Sequence, residues 1–485
     1  MRAYRTISFV ASGLLAFCVT FSTSAAEDPG RNAWRQYASP EEAGFSSERL
    51  EEAYASAEEA GSAAIMAIYN GRVVVAWGDI ERPFKCHSVR KSILSALYGT
   101  HVAAGRIDLN ATLADLGIND IEPLSDEEKT ARIADLLTAR SGVYHRAAKE
   151  PAGMSRNRPA RHSHKPGEHF WYNNWDFNTL GTIYHQLTGE PVIESFQQHF
   201  ADPLGMQDFI PEHGSYELEP RRSKHPAYAF RLSARDLARF GLMIAQGGRW
   251  GDERIVPESW ITQSTRTHST FDNLRGYGYM WWIYPAGSTS SYETVNKYDV
   301  FSAIGTGGQL VIVIPEAKFV LVHRGDTDNR RKRVTDGLVW QILEMILSAK
   351  TGDAKTAPAL TDVTAVPLPG ALPAPPTRTA IDLDPAKIRE YIGTYANEET
   401  MTMELYEYAG RLFGQTNDGR EAEIFAEAAD KLFLKNADVQ LRILRDETGR
   451  ITDAEVTMMG QTLKLPRVSS GIDDSLSSLG NSAAK

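Results

Sequence analysis

The sequence predicts a mixed α/β (α+β) chain: an antiparallel sheet flanked by helices, a helical lobe between its two strand groups, and a small C-terminal all-β domain. Three observations lead there. Strand-like runs with hairpin turns stand at both ends of the first 350 residues, with helical periodicity between them. A Pro-, Ala- and Thr-rich stretch follows at 351–382, which reads as a semi-rigid linker. Beyond it, 383–468 changes to short alternating strands. A length of 485 residues has room for two or three domains, and 42% hydrophobic with 24% charged residues is an ordinary globular composition. Collagenous, coiled-coil and wholly disordered chains are excluded. The net charge of −10 argues against nucleic acid as a partner, because such a footprint is basic.

The first 26 residues read as a secretory signal peptide. Arg2 and Arg5 precede an apolar run, Ile7 to Phe21, and the small residues Ser24-Ala25-Ala26. The run is too short for a spanning helix, so no stable membrane anchor is expected after cleavage. Export implies a periplasmic or secreted protein. Cleavage removes two arginines and no acid, deepening the negative balance, and it removes Cys18. Cys86 then remains with no partner for a bridge.

Within 27–350, Ser46 or Ser47 caps a helix running to about Ala60. The runs Ala64–Tyr69 and Val73–Trp77 flank Asn70-Gly71, a strong hairpin signal. Helical pieces follow at Leu94–Val102 and Ala234–Ala245. Strand character returns at Gly278–Tyr284, Leu310–Ile314 and Lys318–His323, and a helix over 335–349 closes the block. In the C-terminal region Val439, Leu441 and Ile443 alternate with polar residues, and Ile451–Met459 returns. The Ser-rich end, 469–485, is expected to be a disordered tail.

Three short motifs carry chemistry. Ser88-Val89-Arg90-Lys91 opens an apolar-periodic helix, so Ser88 and Lys91 share a face. A serine hydroxyl needs an adjacent base, and a lysine whose neutral form is populated can serve. The plain alternative for Ser88 is a helix cap, and a second Ser-x-x-Lys at Ser482–Lys485 shows how cheap the pattern is. Tyr172-Asn173-Asn174 offers a phenol to relay a proton and an amide to hold lysine and substrate carbonyl. Gly305-Thr306-Gly307-Gly308-Gln309 leads into a strand, where an exposed N–H supplies half an oxyanion hole and Ser88 N–H the other half.

In that order, Ser-x-x-Lys, Tyr-x-Asn and a Thr-Gly strand resemble the serine β-lactamase and penicillin-binding protein superfamily. Leu136–Gly142, Leu232–Gly241 and Tyr277–Trp282 are similar to segments of its class C and esterase branch, near 6-aminohexanoate-dimer hydrolase. The resemblance covers roughly 40–350 and implies a β-lactamase/transpeptidase-like fold in a cofactor-free serine hydrolase. It makes Ser88 the acylated nucleophile, Lys91 its base and Tyr172 the proton relay. Asn174 then holds lysine and substrate, Thr306 and Gly307 line the substrate strand, and the Gly308 N–H completes the oxyanion hole. Whether Lys91 or Tyr172 acts as general base stays open. The family's third motif often begins with Lys or His, whereas Gly305 stands here. That departure favours an ester or amide substrate, small or peptide-like, over β-lactams or D-Ala-D-Ala peptides. A silent cell-wall-binding member is the competing class. The C-terminal β domain resembles lipocalin-like or small β modules appended to some family hydrolases.

Two further signals are weighed. Residues 144–169 carry Arg146, Lys149, Arg156, Arg158, Arg161 and Lys165 against Glu150 and Glu168. That excess either lines the cleft for an anionic substrate or is a solvated loop. His162, His164 and His169 lack a metal-site pattern, so no metal is expected.

Overall fold

The computed structural model describes residues 33–469 except 329–333, 375, 377, 398–399 and 459. The expected signal peptide lies outside the described residues, as does the expected tail beyond Ser469.

The first turn signals act as read. Ser46 caps the helix Ser47–Ala60, accepting from the Arg49 N–H. Asn70 and Gly71 both take positive φ, 50° and 77°, the geometry of a type I′ hairpin joining Ala64–Tyr69 to Arg72–Gly78. These strands are almost wholly apolar because both faces of the sheet are covered.

Among the described residues the main sheet has ten strands. From one edge they run Leu360–Asp362, Arg35–Tyr37, Arg72–Gly78, Ala64–Tyr69, Phe319–Arg324, Gln309–Ile314, Val300–Gly305, Trp282–Tyr284, Gly276–Tyr277 and Ser269–Thr270. Every pairing is antiparallel except Arg35–Tyr37 against Arg72–Gly78. Strands from both ends of the first 350 residues thus close one sheet, as the pattern predicted. The two strand groups join where Phe319–Arg324 pairs with Ala64–Tyr69.

Two apolar cores form on its faces. On one, Met66, Ile68, Val311 and Val320 pack with Ile93, Leu97, Phe177 and Phe240 of the helices Val89–Ala103, Asn174–Thr188 and Ala234–Ala245. On the other, Ile65, Ile312 and Leu321 meet Leu50, Ala53, Ile342 and Ile346 of Ser47–Ala60 and Asp336–Ser348. The helical lobe is pinned from within by buried Asp120. Its carboxylate accepts from Trp175 Nε1 (2.7 Å), Ser223 Oγ (2.7 Å), the Lys224 N–H (2.7 Å) and the Ile121 N–H (2.8 Å), so the charge has four donors.

Three expectations need correcting. Gly278–Tyr284 is not one strand: Met280 takes φ +61° and separates Gly276–Tyr277 from Trp282–Tyr284. The 351–382 segment is more than a semi-rigid linker. Its Leu360–Asp362 is the edge strand beside Arg35–Tyr37, and Val366 bridges to Trp77. Backbone pairing there needs no apolar side chains, so composition could not announce it. The basic excess of 144–169 is largely compensated: Arg158 pairs with Glu150, Arg161 with Glu122 and Glu128, Lys165 with Glu127 and Lys149 with Glu217.

The C-terminal region builds a separate nine-stranded antiparallel sheet among the described residues, Gly393 to Ser469, around its own apolar core with Tyr395, Leu405, Leu412, Leu441 and Leu465. A helix, Pro385–Tyr391, precedes it.

Candidate active site

Ser88 ends a tight entry into the helix Val89–Ala103. His87 before it takes φ +47°, a left-handed conformation that costs a non-glycine residue about 1–3 kcal/mol. The Ser88 hydroxyl makes no capping bond to the helix, so the plain reading of Ser88 as a cap fails. Instead Lys91 Nζ donates to Ser88 Oγ at 2.8 Å and to Tyr172 OH at 2.8 Å. The spacing i, i+3 sets the first contact. The second joins two segments 81 residues apart.

The environment tunes both partners. Burial first, and the neighbouring Arg90 guanidinium second, hold the Lys91 ammonium well below its ordinary pKa. Lys91 Nζ also lies 4.6 Å from the Tyr172 ring centre and 4.8 Å from that of Phe177. Burial pushes the Tyr172 phenol up to about 12, against the lowering effect of Ser88 and Arg90. The pair therefore favours a neutral amine beside a protonated phenol. Trp282 (5.3 Å between ring centres), Phe177 (4.9 Å) and Tyr277 (5.9 Å) wall in the Tyr172 ring.

Asn174 is brought to the same region but oriented from elsewhere. Its Nδ2 donates to the Lys149 carbonyl at 2.7 Å, and its buried Oδ1 has no hydrogen-bond partner. Among the described residues it makes no hydrogen bond to Lys91, so the expected grip on the lysine is absent. Asn173, not singled out for chemistry, caps the helix Asn174–Thr188 by accepting from the Asp176 N–H.

The glycine strand is displaced by one strand from its expected place. Gly305, the last residue of Val300–Gly305, is the glycine against the nucleophile. A Cβ there would lie 2.4 Å from the Cys86 carbonyl oxygen and 3.0 Å from Ser88 N. Gly307 and Gly308 form the turn to the next strand, with φ of +82° and +77°. A Cβ on Gly308 would meet Val334 and His323, and one on Gly307 would meet Thr327. His323 Nδ1 donates to the Gly308 carbonyl (2.6 Å) and Gln309 Nε2 to the Gly307 carbonyl (3.1 Å), bonds that hold the turn in shape. Thr306 is exposed at its tip. Of the three glycines, Gly305 is the one whose added Cβ would lie against Ser88. Ser302, Ala303 and Ile304 precede it on the strand, and none is cationic.

Sequence reasoning also missed Arg90, Asn178 and Asp176. Arg90 Nη2 donates to Asn178 Oδ1 (3.0 Å), fixing the cation beside Lys91. Asp176 is fully buried, and burial pushes its carboxyl up to about 8 despite the Ser141 and Asn173 hydrogen bonds that lower it. A carboxyl raised in the folded state contributes stability below its unfolded pKa and loses it as pH climbs. Asp176→Asn should therefore flatten a fall in Tm between about pH 4 and about pH 8 that the parent shows, as thermal melts across that range would reveal.

Of groups able to hold a metal, the described residues offer His101, Glu190 and His199, not the predicted-against His162, His164 and His169. A hydrogen-bond chain already satisfies them. Arg106 Nε donates to His101 Nδ1 (2.8 Å), Tyr184 OH meets His101 Nε2 (2.8 Å), and Glu190 accepts from His199 Nε2 (2.8 Å) and Ser195 Oγ (3.0 Å).

The Beta-lactamase family model matches residues 48–342, and a domain of unknown function (DUF3471) matches 377–467. Protein flp from Staphylococcus aureus (strain MW2) is 24% identical over 192 residues, 35% of this chain and 38% of flp, so the match spans well under half of that relative. A solved "putative 6-aminohexanoate-dimer hydrolase" from Bacillus anthracis superposes with a TM-score of 0.49 at 18% identity, covering 66% of this chain and 87% of that one. The octameric penicillin-binding protein homologue from Pyrococcus abyssi gives 0.47 at 16% identity, covering 87% and 98%. Because the first family model covers more than half of the sequence, from the helix before the central hairpin to the one that closes the sheet, the chain belongs to the β-lactamase family of serine β-lactamase- and penicillin-binding-protein-related hydrolases.

Proposed function

We propose that this chain is an exported serine hydrolase that cleaves an ester or amide bond through an acyl-enzyme on Ser88. The observation that carries the reading is Lys91 Nζ, 2.8 Å from both Ser88 Oγ and Tyr172 OH, in surroundings that favour its neutral form.

Neutral Lys91 takes the Ser88 proton as Oγ bonds to the substrate carbonyl carbon. The resulting oxyanion sits between the Ser88 N–H and the Gly305 N–H, where the strand comes against the nucleophile. As the tetrahedral species collapses, its bond to the alcohol or amine breaks. Tyr172 OH gives that leaving group a proton and is reprotonated from Lys91. Water, deprotonated by Lys91, then attacks the ester at Ser88, releasing the acid and restoring the hydroxyl. A phenol raised to about 12 is a proton donor at neutral pH, which favours Lys91 over Tyr172 as the base. No metal or organic cofactor enters these steps. Residues Ser302 to Gly305 put no cation at the head of the third motif, which favours substrates that lack a carboxylate beside the scissile bond. Export to the periplasm or beyond rests on the order of residues 1–26.

Pre-steady-state kinetics test the reading. A panel of p-nitrophenyl esters, anilides, D-amino-acid amides and β-lactams should give a burst of leaving group equal to the enzyme concentration with at least one ester or amide. Linear release from time zero across the panel, by folded protein, would sink it.

A further inference from the structure

The C-terminal β sheet grips one loop of the helical lobe, and that loop leads to the active site. Arg221 Nη1 and Nη2 each donate to a Glu404 carboxylate oxygen at 2.8 Å, and Nη1 also donates to Gln415 Oε1 at 2.7 Å. The guanidinium lies 4.0 Å over the Tyr406 ring centre, and the Arg221 N–H donates to Glu421 Oε1. Arg222 Nη2 donates to the Gly419 carbonyl. A bidentate Arg–carboxylate pair backed by an aromatic face fixes geometry more tightly than a lone surface ion pair. A second contact runs through Asn436, whose carbonyl accepts from Lys85 Nζ at 2.9 Å and whose Nδ2 donates at 3.0 Å to Ser215 Oγ, on the strand that leads into the gripped loop.

The gripped loop carries the hold inward. Arg222 Nε faces buried Glu219 at 3.3 Å, and Glu217 pairs with Lys149 Nζ at 3.2 Å. Burial pushes the Glu219 carboxyl up to about 7, against the lowering effect of the Arg222 and Lys149 charges. Lys149 holds a left-handed φ of +56°, a conformation a lysine keeps only when its surroundings impose it. In that turn the Lys149 carbonyl takes the Asn174 amide at 2.7 Å and the Ala148 carbonyl takes the Asn178 amide at 3.0 Å. Asn178 in turn accepts from Arg90, the cation beside Lys91. Two residues near the nucleophile are therefore aimed by one strained turn.

We propose that the C-terminal β sheet is a positioning element for this site: through Arg221, Arg222 and the 217–222 loop it holds the Lys149 turn that orients Asn174 and Asn178. Arg221 and Lys149 are positioning residues, acting through the asparagines. The proposal rests on the Ser88 hydrolase reading.

The experiment is a double-mutant cycle in the full chain, with an ester turned over by the parent. Arg221→Ala and Glu404→Gln, from opposite sides of the contact, should each lower kcat/KM about tenfold while circular dichroism stays native. Adding Arg221→Ala to Asn174→Ala should cost clearly less than Arg221→Ala costs in the parent, because one of the two residues it positions is already gone. Arg221→Lys, which keeps the charge and loses the fork, should recover only part. Parent-like kcat and KM in both single variants would overturn the proposal, as would additive losses in the double variant. Labelling of Ser88 by a fluorophosphonate in every variant separates the two readings. Labelled enzyme with unaffected turnover removes the positioning role alone, and an unlabelled parent removes both.

Discussion

Lys91→Met is expected to lower kcat/KM for esters by about 10³-fold and, at the same time, to raise Tm at neutral pH. Both follow from one fact: a buried amine held below its ordinary pKa. Removing the base leaves the Ser88 hydroxyl with no group at 2.8 Å to receive its proton. The stability sign runs the other way. A lysine with a depressed pKa in the folded state contributes stability only above its unfolded pKa, and that contribution is lost as pH falls. At pH 7 the folded protein therefore carries a penalty, which a methionine of similar length removes. The same shift predicts the pH profile of kcat/KM: activity rises with pH as Lys91 sheds its proton, with its midpoint below the ordinary lysine value. No Tyr172 limb should appear below about pH 12. Stopped-flow ester hydrolysis from pH 5 to 10, paired with thermal melts of parent and variant, reads all three.

Gly305→Ala is expected to lower kcat/KM by about 10²-fold or more, with a loss of stability of about 1–3 kcal/mol. The added methyl has no room: the Cys86 carbonyl oxygen would lie 2.4 Å away and Ser88 N 3.0 Å away. Both neighbours are backbone atoms of the turn whose His87 already takes φ +47°, so the strand must retreat from the nucleophile rather than a side chain rotate. The retreat opens the oxyanion hole. Gly308→Ala serves as the contrast. Gly308 has φ +77° and packs on Val334 and His323, so its substitution should cost stability through the turn with a far smaller loss of kcat/KM. Equal losses in the two variants would return the oxyanion role to the glycine turn.

These contrasts show which parts of the site local sequence could carry. Ser88 and Lys91 were readable because i, i+3 on a helix guarantees a shared face. Tyr172 followed from the order of motifs. Local sequence does not separate Gly305 from Gly308, since what distinguishes them is a contact with Cys86 and Ser88 more than 200 residues away. Asn174 was found but its aim was not, because Lys149 in a left-handed turn sets it. In the fold, the hairpin at Asn70-Gly71 and the helix Ala234–Ala245 appeared where periodicity and turn chemistry placed them. The edge strand Leu360–Asp362 and its neighbour Arg35–Tyr37 did not, being three residues each and defined by their partners. Arg90 was hidden for the same reason: a basic residue inside Ser-x-x-Lys reads as surface until Asn178 and the Tyr228 ring, 4.3 Å away, bury it.

Intact-mass spectrometry after fluorophosphonate treatment asks the most direct question of all. One adduct per chain is predicted, mapped by peptide sequencing to Ser88, lost in Ser88→Ala and strongly slowed in Lys91→Met. Folded protein that takes up no label, or labels at a serine other than Ser88, would contradict a nucleophile built from Ser88, Lys91 and Tyr172.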